Sequence, residues 1–499
     1  TYSSKFFLYS YKAIFKYFKV ISLSPMDVIV LQRDLRLLDN PALYYGSKKE
    51  NYCVVYVYDK NYWQSYGRSS RQLKFAVDCL KELNENLKKL NSKVLIFEGS
   101  FEKLSIFLNK ELPHSKIHLN HCTDNLYHRE DFKKFLNNFK SEAVAIYDNF
   151  GLQLHQFDRD KWSNDWNKIM NKPLLDLPSN TNFVKKLPLS SFEDFEQSLK
   201  INNSSLNNIQ KGGEKLASVL LNSFFEYRAD GYSKKMSCPK EAETACSRLS
   251  PHIAFGSISI RKIYQELNNV LVFSPYKKDL LSFKKRLHWH CHFVQKLETE
   301  PELEFRSMHP FCDELRTEED SELIEKWIKG QTGFPFLDAC ITYLNTNGWI
   351  NFRMRAMIMS FASYNLWQPW QKTSPLLAEL FTDFEPGIHI SQVQMQSGVT
   401  GINLPRIYSV FKQSLDQDST AEWTKKMIPQ LENVEIKLIH NAELKDIYFD
   451  QIVDPKLSAK KARDTVWAMR KNSDFKKIAR EVYLKHGSRK KQQFNRVSN

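Results

Sequence analysis

The sequence predicts an N-terminal α/β domain with a Rossmann-like parallel sheet, followed by a large all-α domain. Three observations support this fold class. Short β-branched runs alternate with helical patterns over residues 26–148, which indicates a βαβ series. Residues 151–213 are polar and rich in Asn, Ser and Lys, as in a surface linker. From residue 214 onward, apolar residues recur at helical spacing with almost no strand alternation.

The α/β domain is predicted from five strands and the helices between them. Neither GxGxxG after the first strand nor GxxxxGK[ST] occurs, so the sequence supports neither the usual Rossmann dinucleotide site nor a P-loop. A helix between the second and third strands is indicated by Leu73, Val77, Leu80, Leu83, Leu87 and Leu90. The predicted strands cover 26–32, 52–58, 93–98, 116–119 and 143–147.

The all-α domain shows its helical period most clearly over 323–327, 336–344, 352–364 and 422–428. Residues 456–499 carry 14 Lys or Arg against three acids, which predicts a basic helix pair and a short tail. The predicted division is an extension over 1–25, an α/β domain over 26–150, a linker over 151–213, a helical domain over 214–485 and a basic tail over 486–499.

Length and composition limit the protein class. A chain of 499 residues with 42% hydrophobic and 26% charged residues buries at least one large core, which excludes a peptide hormone and a mainly disordered protein. The net charge of +15 favours a polyanionic partner, either nucleic acid or an acidic membrane face. No apolar stretch approaches the roughly 18–20 residues that span a bilayer, so we expect a soluble protein with no membrane partner.

The eight cysteines form no CxxC pair, which is typical of a reduced intracellular protein. None follows Cys340, so the C-terminal third holds no four-cysteine iron–sulfur or zinc site of its own. Residues 1–25 contain four lysines, eight Phe or Tyr and no acid, and they precede the first methionine, Met26. Two readings stay open for this segment, a targeting or membrane-surface segment and a start-site artefact.

Three clusters carry chemistry. His288 and His292 share a helix face at i,i+4, as in a metal site, but no third ligand is evident, and packing on the helix surface or in a cofactor pocket is the favoured interpretation. Ser247 to Pro251 place hydroxyls before a Pro-started helix, which suits either an anion or an ordinary helix cap. Arg353 and Arg355 face different directions on one helix, so one can pair with Asp383 while the other reaches a phosphate.

These stretches together resemble the photolyase/cryptochrome family, in a divergent bacterial-type branch. Arg33-Asp-Leu-Arg36 with Asp39-Asn-Pro-Ala-Leu43 resembles its N-terminal signature, and Cys246 to Gly256 resembles its flavin-phosphate loop. Further motifs follow in the family's order, namely Thr332 to Cys340, Gly348-Trp349, Arg353-Met-Arg355 and Asp383. The resemblance runs from Met26 to about the mid-480s.

The resemblance implies a U-shaped FAD buried in the helical domain and an electron transfer from reduced flavin to a pyrimidine dimer in DNA. Around the diphosphate and ribityl chain it places Tyr232, Ser247, Arg248, Leu249 and Ser250. Around the flavin ring it places Phe283, Arg286, His290, Trp349, Phe352, Arg355, Asp383, Glu385 and His389, with Arg355 paired to Asp383 and His389 near N5.

The same resemblance implies a lesion cavity and a DNA-contacting rim. Trp289 and Met395 would face the lesion, and Arg353, Arg406 and Lys412 would meet the DNA backbone. We expect a monomer in the cytoplasm, nucleoid-associated if bacterial, acting on UV-damaged DNA. An antenna chromophore is possible, but the N-terminal sheet carries no distinctive ligand motif for one.

Several positions depart from the family pattern. Cyclobutane-dimer photolyases carry a Glu and an Asn where this chain has Arg286 and Phe352, and no His pair of the (6-4) type lies between Trp349 and Asp383. The lesion type therefore stays open. Trp370 matches the middle member of the family's tryptophan triad, but no Trp occurs over residues 371–422. Trp349, Trp367 and Trp370, or tyrosines, are the candidates for another electron route.

Three functions remain as hypotheses. The first is a light-driven DNA photolyase that flips the damaged bases into a flavin-floored cavity. The second is a cryptochrome-like blue-light photoreceptor without repair activity. The third is a basic single-strand-binding protein that retains flavin without using it for catalysis.

Overall fold

The structure of the protein is a computed structural model. It describes residues 26–49, 51–149, 151–154, 158–181, 187–199 and 208–487. The predicted extension over 1–25 and all but the first two residues of the predicted tail lie outside the described part.

The N-terminal domain is built on one sheet with the strand order β5-β4-β1-β2-β3-β6. The first five strands in the chain run parallel, and each was predicted from its β-branched residues. The sixth pairs antiparallel with β3 and was not predicted. The strands are β1 Asp27–Leu31, β2 Tyr52–Tyr58, β3 Val94–Glu98, β4 Lys116–Asn120, β5 Val144–Tyr147 and β6 Ser190–Ser191.

Helices cross over between these strands and cover the sheet, as parallel pairing requires. The predicted helix between β2 and β3 is present and buries Phe75, Leu80 and Leu87. The helices of this part are α1 Pro41–Gly46, α2 Ser70–Lys88, α3 Phe101–Glu111 and α4 Leu126–Asn137.

The segment predicted as a linker contains two helices, α5 Trp162–Met170 and α6 Phe192–Ser198, besides β6. Helix α5 buries Trp162, Trp166 and Met170 against the start of the helical domain. These three residues recur at four-residue spacing, which is enough to anchor a short helix.

The helical domain has no strand among the described residues after 208. Two π-helical segments, Phe224–Arg228 and Phe361–Asn365, extend α7 and α15. Its helices are α7 Glu214–Ser223, α8 Tyr232–Lys235, α9 Pro239–Ala245, α10 Ser250–Ala254, α11 Ile260–Leu271, α12 Lys277–Thr299, α13 Ser321–Ile328, α14 Pro335–Asn347, α15 Phe352–Ser360, α16 Trp370–Leu380, α17 Pro386–Ser397, α18 Val410–Gln417, α19 Glu422–Met427, α20 Ile436–Asn441, α21 Pro455–Lys471 and α22 Ser473–His486.

Helices α12 and α17 pack closely at Gly387. A Cβ atom at this position would lie 2.6 Å from the Cα of Val294, so only glycine allows this approach. The contact fixes the helices that carry Phe283, Arg286, His290 and His389, four of the nine residues predicted around the flavin ring.

The two domains meet through buried charge. Arg33, at the end of β1, donates to a Glu385 carboxylate oxygen at 2.6 Å and to the carbonyl of Ala254 at 3.2 Å. Arg36 donates to the carbonyl of Gly256 at 3.0 Å. Residues of the predicted N-terminal signature thus hold the helical domain against the sheet.

No described helix combines the length and the apolar character that a bilayer crossing requires.

Candidate functional site

The predicted ion pair between Arg355 and Asp383 is present. Nη1 and Nη2 of Arg355 donate to the two carboxylate oxygens of Asp383 at 3.0 and 2.9 Å, and Nε donates to the carbonyl of Ile350 at 2.7 Å. The guanidinium carbon lies 4.2 Å from the ring centre of Phe381. A bidentate pair with one face covered is rigid, so it presents a fixed dipole to whatever binds beside it.

Arg353 lies on the same helix and is partly buried, and its buried Nε has no hydrogen-bond partner within the described part of the chain. It makes no ion pair with any acidic residue that the structure describes. Phe352, next to it, is 50% exposed, so its ring lies largely in solvent. The first turn of α15 therefore turns one arginine inward and leaves the other available at its end.

The loop before α10 is organised by Arg228, which sequence reasoning missed. Its guanidinium donates to the carbonyls of Thr244 at 3.1 Å and Ser247 at 3.2 Å, and to that of Cys246. These three carbonyls all point toward the Arg228 guanidinium. The amide groups of the loop and the Arg248 side chain are therefore the groups that remain to bind a ligand. Since Arg228 lies in the π-helical segment, far from the loop in sequence, no local motif indicates it.

Arg248 adopts a left-handed backbone conformation, with φ of 61°. Its guanidinium carbon lies 3.9 Å from the ring centre of Trp349, and its carbonyl accepts from Gln210 at 2.8 Å. A non-glycine residue held at positive φ is often a functional position. Two predicted site residues from distant segments are therefore in contact here.

Phe283 and Tyr232 form one aromatic cluster with Phe224, with ring centres between 4.8 and 6.3 Å apart. Arg286, one turn after Phe283, is exposed and contacts the sulfur of Met236 at 3.7 Å. Leu249 lies in the same hydrophobic cluster as Phe283. The loop before α10, through Leu249, and helix α12, through Phe283, thus contribute to one hydrophobic cluster beside the predicted cofactor site.

His290 and Trp289 follow on α12. Burial, with Arg33 nearby, lowers the pKa of His290 to about 3, so its ring is neutral at pH 7. The Trp289 ring stacks on Phe293, with centres 5.5 Å apart and planes at 26°, and both rings are only partly buried. Partly exposed stacked rings are suited to contact a planar ligand.

Glu385 and His389 stand at the start of α17. Glu385 faces Arg33 of the α/β domain, and burial raises the pKa of its carboxyl while Arg33 opposes the rise. Nε2 of His389 lies 3.0 Å from both the hydroxyl and the carbonyl oxygen of Ser374, and burial lowers the pKa of this histidine to about 4. Met395, further along α17, is partly buried.

The three candidate tryptophans are not in ring contact with one another among the described residues. Trp370 is 2% exposed and donates from Nε1 to Ser307 Oγ at 3.1 Å. Trp367 has a φ of 57° and lies 4.4 Å from the guanidinium carbon of Arg316. A direct ring-to-ring route through all three is therefore absent in this part of the chain.

The three predicted DNA-contacting residues lie in different elements, Arg353 in α15, Arg406 in the loop before α18 and Lys412 in α18. The carbonyl of Arg406 accepts from Ser360 Oγ at 3.1 Å at the end of α15. Lys412 is exposed on α18 and pairs with Asp416 at 3.5 Å.

The histidine cluster on α12 packs against aromatic rings. His288 lies edge-on to Trp162 and Trp166, and His292 contacts Trp162 and Trp289. No third His, Cys, Asp or Glu ligand joins His288 and His292 within the described ranges. Packing against these rings accounts for both residues.

One other group, Cys122, Asp124 and His128, brings metal-ligand atoms within 4.8 Å of one another. Both oxygens of Asp124 are already engaged, by Arg33 at 3.1 Å, by Tyr62 at 2.8 Å and by Arg68. Burial alone would raise the pKa of Asp124, but the two guanidinium groups hold it well below its usual value. Arg33 and Arg68 already neutralise this carboxylate and would repel a metal ion, so the group is disfavoured as a metal site.

A small cavity of about 30 Å³ lies at the carboxyl ends of β1, β2 and β4. This is the edge of a parallel sheet at which ligands usually bind. Aromatic rings dominate its wall, and the buried Gln32 Oε1, Trp63 Nε1 and His128 Nε2 have no hydrogen-bond partner. The lining includes Tyr56, Tyr62, Trp63, Phe101, Tyr127, His128 and Phe255.

Two family models match this chain. Residues 28–145 match the DNA photolyase model, and residues 283–468 match the FAD binding domain of DNA photolyase. Together they cover most of the sheet and the helices that carry the Arg355 pair.

Relatives and solved structures agree with the models. A deoxyribodipyrimidine photo-lyase of Alkalihalophilus pseudofirmus is 30% identical over 230 residues, 46% of this chain and 47% of the relative. Cryptochrome-1 of Spalax judaei is 25% identical over 393 residues, 72% of this chain and 65% of the relative. The chain thus spans less than two thirds of the length of these relatives.

Two solved structures show the same fold. A bacterial class III photolyase from Agrobacterium tumefaciens has a TM-score of 0.77 at 23% identity, covering 90% of this chain and 99% of its own. An archaeal photolyase from Sulfolobus tokodaii, with two FAD molecules, has a TM-score of 0.74 at 22% identity and covers 89% of this chain and 100% of its own.

The residues at this site fit an FAD. Arg248 makes no ion pair with a carboxylate within the described ranges, and the buried Asn351 Oδ1 has no hydrogen-bond partner. A diphosphate satisfies an unpaired guanidinium, and the donors of a ring or sugar satisfy an orphaned amide oxygen. The aromatic wall of Phe224, Tyr232 and Phe283 is suited to an aromatic cofactor.

Proposed function

Because the chain belongs to the photolyase/cryptochrome family, we propose that it is a light-driven, FAD-dependent DNA photolyase that repairs UV-induced pyrimidine dimers. FAD is its cofactor, and in the reduced state it supplies the electron that light transfers to the dimer. The protein's residues bind and orient the cofactor and the DNA.

One observation carries the proposal. The first turn of α15 directs Arg355 inward to Asp383, while Arg353 has no carboxylate partner among the described residues. The inner arginine fixes the cofactor side of the site, and the outer one is placed for a DNA phosphate. A flavoprotein without a nucleic-acid substrate has no evident use for the second cation.

Each side of the site then has a role. Ser247, Arg248, Leu249 and Ser250 hold the diphosphate, with Arg228 fixing the loop from behind. Neutral His290 and His389 add no positive charge beside the flavin, so the charge there comes from guanidinium groups such as that of Arg355. Trp289 stacks on the flipped lesion, with Met395 as its neighbour in the cavity.

The place and the lining of the small cavity at the sheet edge, rather than its volume of about 30 Å³, support an antenna chromophore as a second bound group, which would have to displace side chains in order to fit. Its aromatic wall and three orphaned polar atoms suit a planar ligand with donors and acceptors at its edge. The Sulfolobus tokodaii photolyase holds a second FAD, which is one candidate of this class. Protein purified under mild conditions should then show a second absorbance band, and Trp63→Ala should remove it while FAD is retained.

The repair test uses the purified flavoprotein. A dimer-containing oligonucleotide is illuminated with blue light under reducing conditions, and we expect dimers to disappear only in the light. Arg353→Gln should weaken binding of this DNA with unchanged flavin content, and Arg480→Gln, at an exposed arginine of α22, is the matched control.

Two results would reject the proposal. Stable flavin photoreduction without repair of cyclobutane or (6-4) lesions would leave the photoreceptor hypothesis. A colourless protein that cannot be reconstituted with FAD would reject both functions.

A further inference from the structure

Helix α21 carries one continuous basic stripe. Lys456, Lys460, Arg463, Trp467 and Lys471 follow at spacings of four, three, four and four residues, so they share one face of the helix. All five are exposed, and the Trp467 ring is 42% exposed. We call this face the α21 stripe.

The opposite face of α21 holds the helix in place. Ala462 and Val466 are fully buried and cluster with Tyr364 of the π-helical segment. Asn365 donates to the carbonyl of Pro455 at 3.3 Å and to Ser458 Oγ at 3.0 Å. The stripe is therefore presented outward by a helix that is anchored on its other side.

The four cations of the α21 stripe pair with no carboxylate among the described residues. Elsewhere on the surface, lysines of helices do pair, as Lys326 does with Glu322 at 2.6 Å and Lys329 with Glu325. The only acid within α21 is Asp464, beside the stripe. Four uncompensated cations on one face repel one another and favour a polyanion.

We propose that the α21 stripe binds single-stranded DNA outside the lesion cavity. The stripe is about 22 Å long at 1.5 Å per residue, long enough for several nucleotides. Phosphates meet the lysines and Arg463, and an unpaired base stacks on Trp467, which stands between the cations. Cations that follow a backbone, interleaved with an exposed aromatic ring, are the two elements of single-strand binding.

The position of α21 supports this partner, and the inference rests on the proposed action on DNA. Ser360 contacts the carbonyl of Arg406, and Asn365 contacts the first turn of α21. These two residues are five apart, so the start of the stripe lies within a few helical turns of the predicted DNA rim. A strand leaving the cavity beside Arg406 can continue along the stripe.

An acidic membrane is the other polyanion that a basic helix can meet. Interfacial helices bury a broad apolar face in the lipid, whereas the outward face of α21 offers only Leu457 and Trp467 as large exposed apolar residues. The apolar face of α21, with Ala462 and Val466, is already packed against the rest of the protein. Nucleic acid is therefore the partner that the surface fits.

The test measures binding of undamaged, fluorescently labelled dT12 to the flavoprotein in the dark, over a series of salt concentrations. In the variant K456Q/K460Q/R463Q/K471Q we expect at least 10-fold weaker binding and a log–log salt slope that is smaller by about 3. Trp467→Ala should weaken dT12 binding about 10-fold with the slope unchanged. The matched control is K74Q/K88Q/K326Q/K329Q, which removes the same charge from paired lysines.

Each other outcome overturns the inference. Unchanged dT12 binding in the quadruple variant, or equal loss in the control, removes the stripe as a specific site. Loss in the quadruple variant with no effect of Trp467→Ala indicates binding to phosphates alone, without the base stacking that distinguishes a single-strand site. Binding to vesicles with 30% phosphatidylserine that needs the stripe, without dT12 binding, assigns it to a membrane. Because dT12 contains no dimer and the assay uses no light, the binding result does not depend on repair activity. A protein that fails to repair dimers can therefore still bind dT12 through the stripe.

Discussion

Asp383 is the residue on which the orientation of Arg355 depends. Replacing it by Asn leaves a largely buried guanidinium without its carboxylate, and breaking such a pair destabilises a protein by roughly 3–5 kcal/mol when it is fully buried. Since Arg355 is 24% exposed, we expect about 2–3 kcal/mol and a loss of bound FAD on gel filtration. The free energy of unfolding in urea measures the first effect and flavin absorbance the second.

Glu322→Gln is the control for this prediction. Glu322 and Lys326 are exposed and lie one turn apart, so breaking their contact should change stability by less than about 1 kcal/mol and leave FAD in place. Equal effects of the two substitutions would show that Asp383 has no special role at the cofactor.

Trp370 is the best-placed candidate on an electron route, because it is buried and matches the family's middle tryptophan. Trp370→Phe keeps an aromatic ring but removes the hydrogen bond to Ser307, and we expect flavin photoreduction to slow at least 10-fold in laser-flash spectroscopy. Trp327→Phe is the control, since Trp327 is fully buried and donates to Ile358 at 3.2 Å. An unchanged rate in the first variant would remove Trp370 from the route.

At this scale the sequence was informative where partners lie within a few tens of residues. The Arg355–Asp383 pair was predicted from motif order, and the structure contains it. The contact of Arg33 with Glu385 spans 352 residues and depends on how two domains dock, which no local pattern encodes. Glu385 was assigned to the flavin by resemblance alone, and that role stays a prediction.

At the scale of elements, the α12–α17 contact depends on Gly387. Adding a methyl group there forces backbone atoms apart, because Val294 Cα lies only 2.6 Å from the new Cβ. For Gly387→Ala we expect a loss of roughly 1–3 kcal/mol in unfolding free energy, as for overpacked sites, together with weaker FAD retention.

The control for Gly387→Ala is Glu379→Ala, an exposed position on the neighbouring α16. It should leave stability within about 0.5 kcal/mol of the parent protein. If Gly387→Ala unfolds at the same urea concentration as the parent protein, the helices have room to separate and the glycine is not required.

The elements that sequence reasoning found and missed differ in their apolar content. The central strands β1 and β2 are apolar runs rich in Val and buried on both faces, so composition alone marks them. The edge strand β5 has no buried residue, but its Val, Ile and Tyr still indicate a strand. Strand β6 is two serines, which carry no periodicity. Helix α5 is anchored by three large residues in an otherwise polar segment, so mean composition concealed it.

At the scale of the whole molecule, charge is arranged in two ways. Inside, carboxylates of the helical domain pair with cations of the sheet domain, as Glu304 does with Arg129 at 2.8 Å and Glu385 does with Arg33 at 2.6 Å. Outside, the four cations of the α21 stripe face solvent, and none of them pairs with a carboxylate among the described residues. The basic composition predicted a polyanion, but only the fold distinguishes cations used for docking domains from cations left for a ligand.

Buried neutral histidines make the whole fold sensitive to acid. Burial lowers the pKa of seven histidines. It falls to about 4 in His128, His252 and His389 and to about 3 in His290, and it also lies below its usual value in His292, His309 and His486. In the unfolded chain a histidine has a pKa of about 6.5, so between pH 6.5 and 4 the unfolded state binds the additional protons. The contribution of these neutral histidines to the free energy of unfolding is therefore fully present above about pH 6.5, and it is lost as the pH falls toward 4.

The number of these histidines sets how steeply the free energy of unfolding should change with pH. At pH 5.5 each of the four histidines with a pKa of about 3 or 4 contributes a loss of about 1.4 kcal/mol, and with His292, His309 and His486 unfolding should take up between about four and seven protons. Urea unfolding of the apoprotein at steps from pH 7 to 5 measures this slope, and His252→Asn should reduce the uptake by about one proton, with the exposed His114→Asn as control. Because these histidines lie in both domains, a slope that His252→Asn leaves unchanged would mean that the buried rings are already protonated in the folded protein.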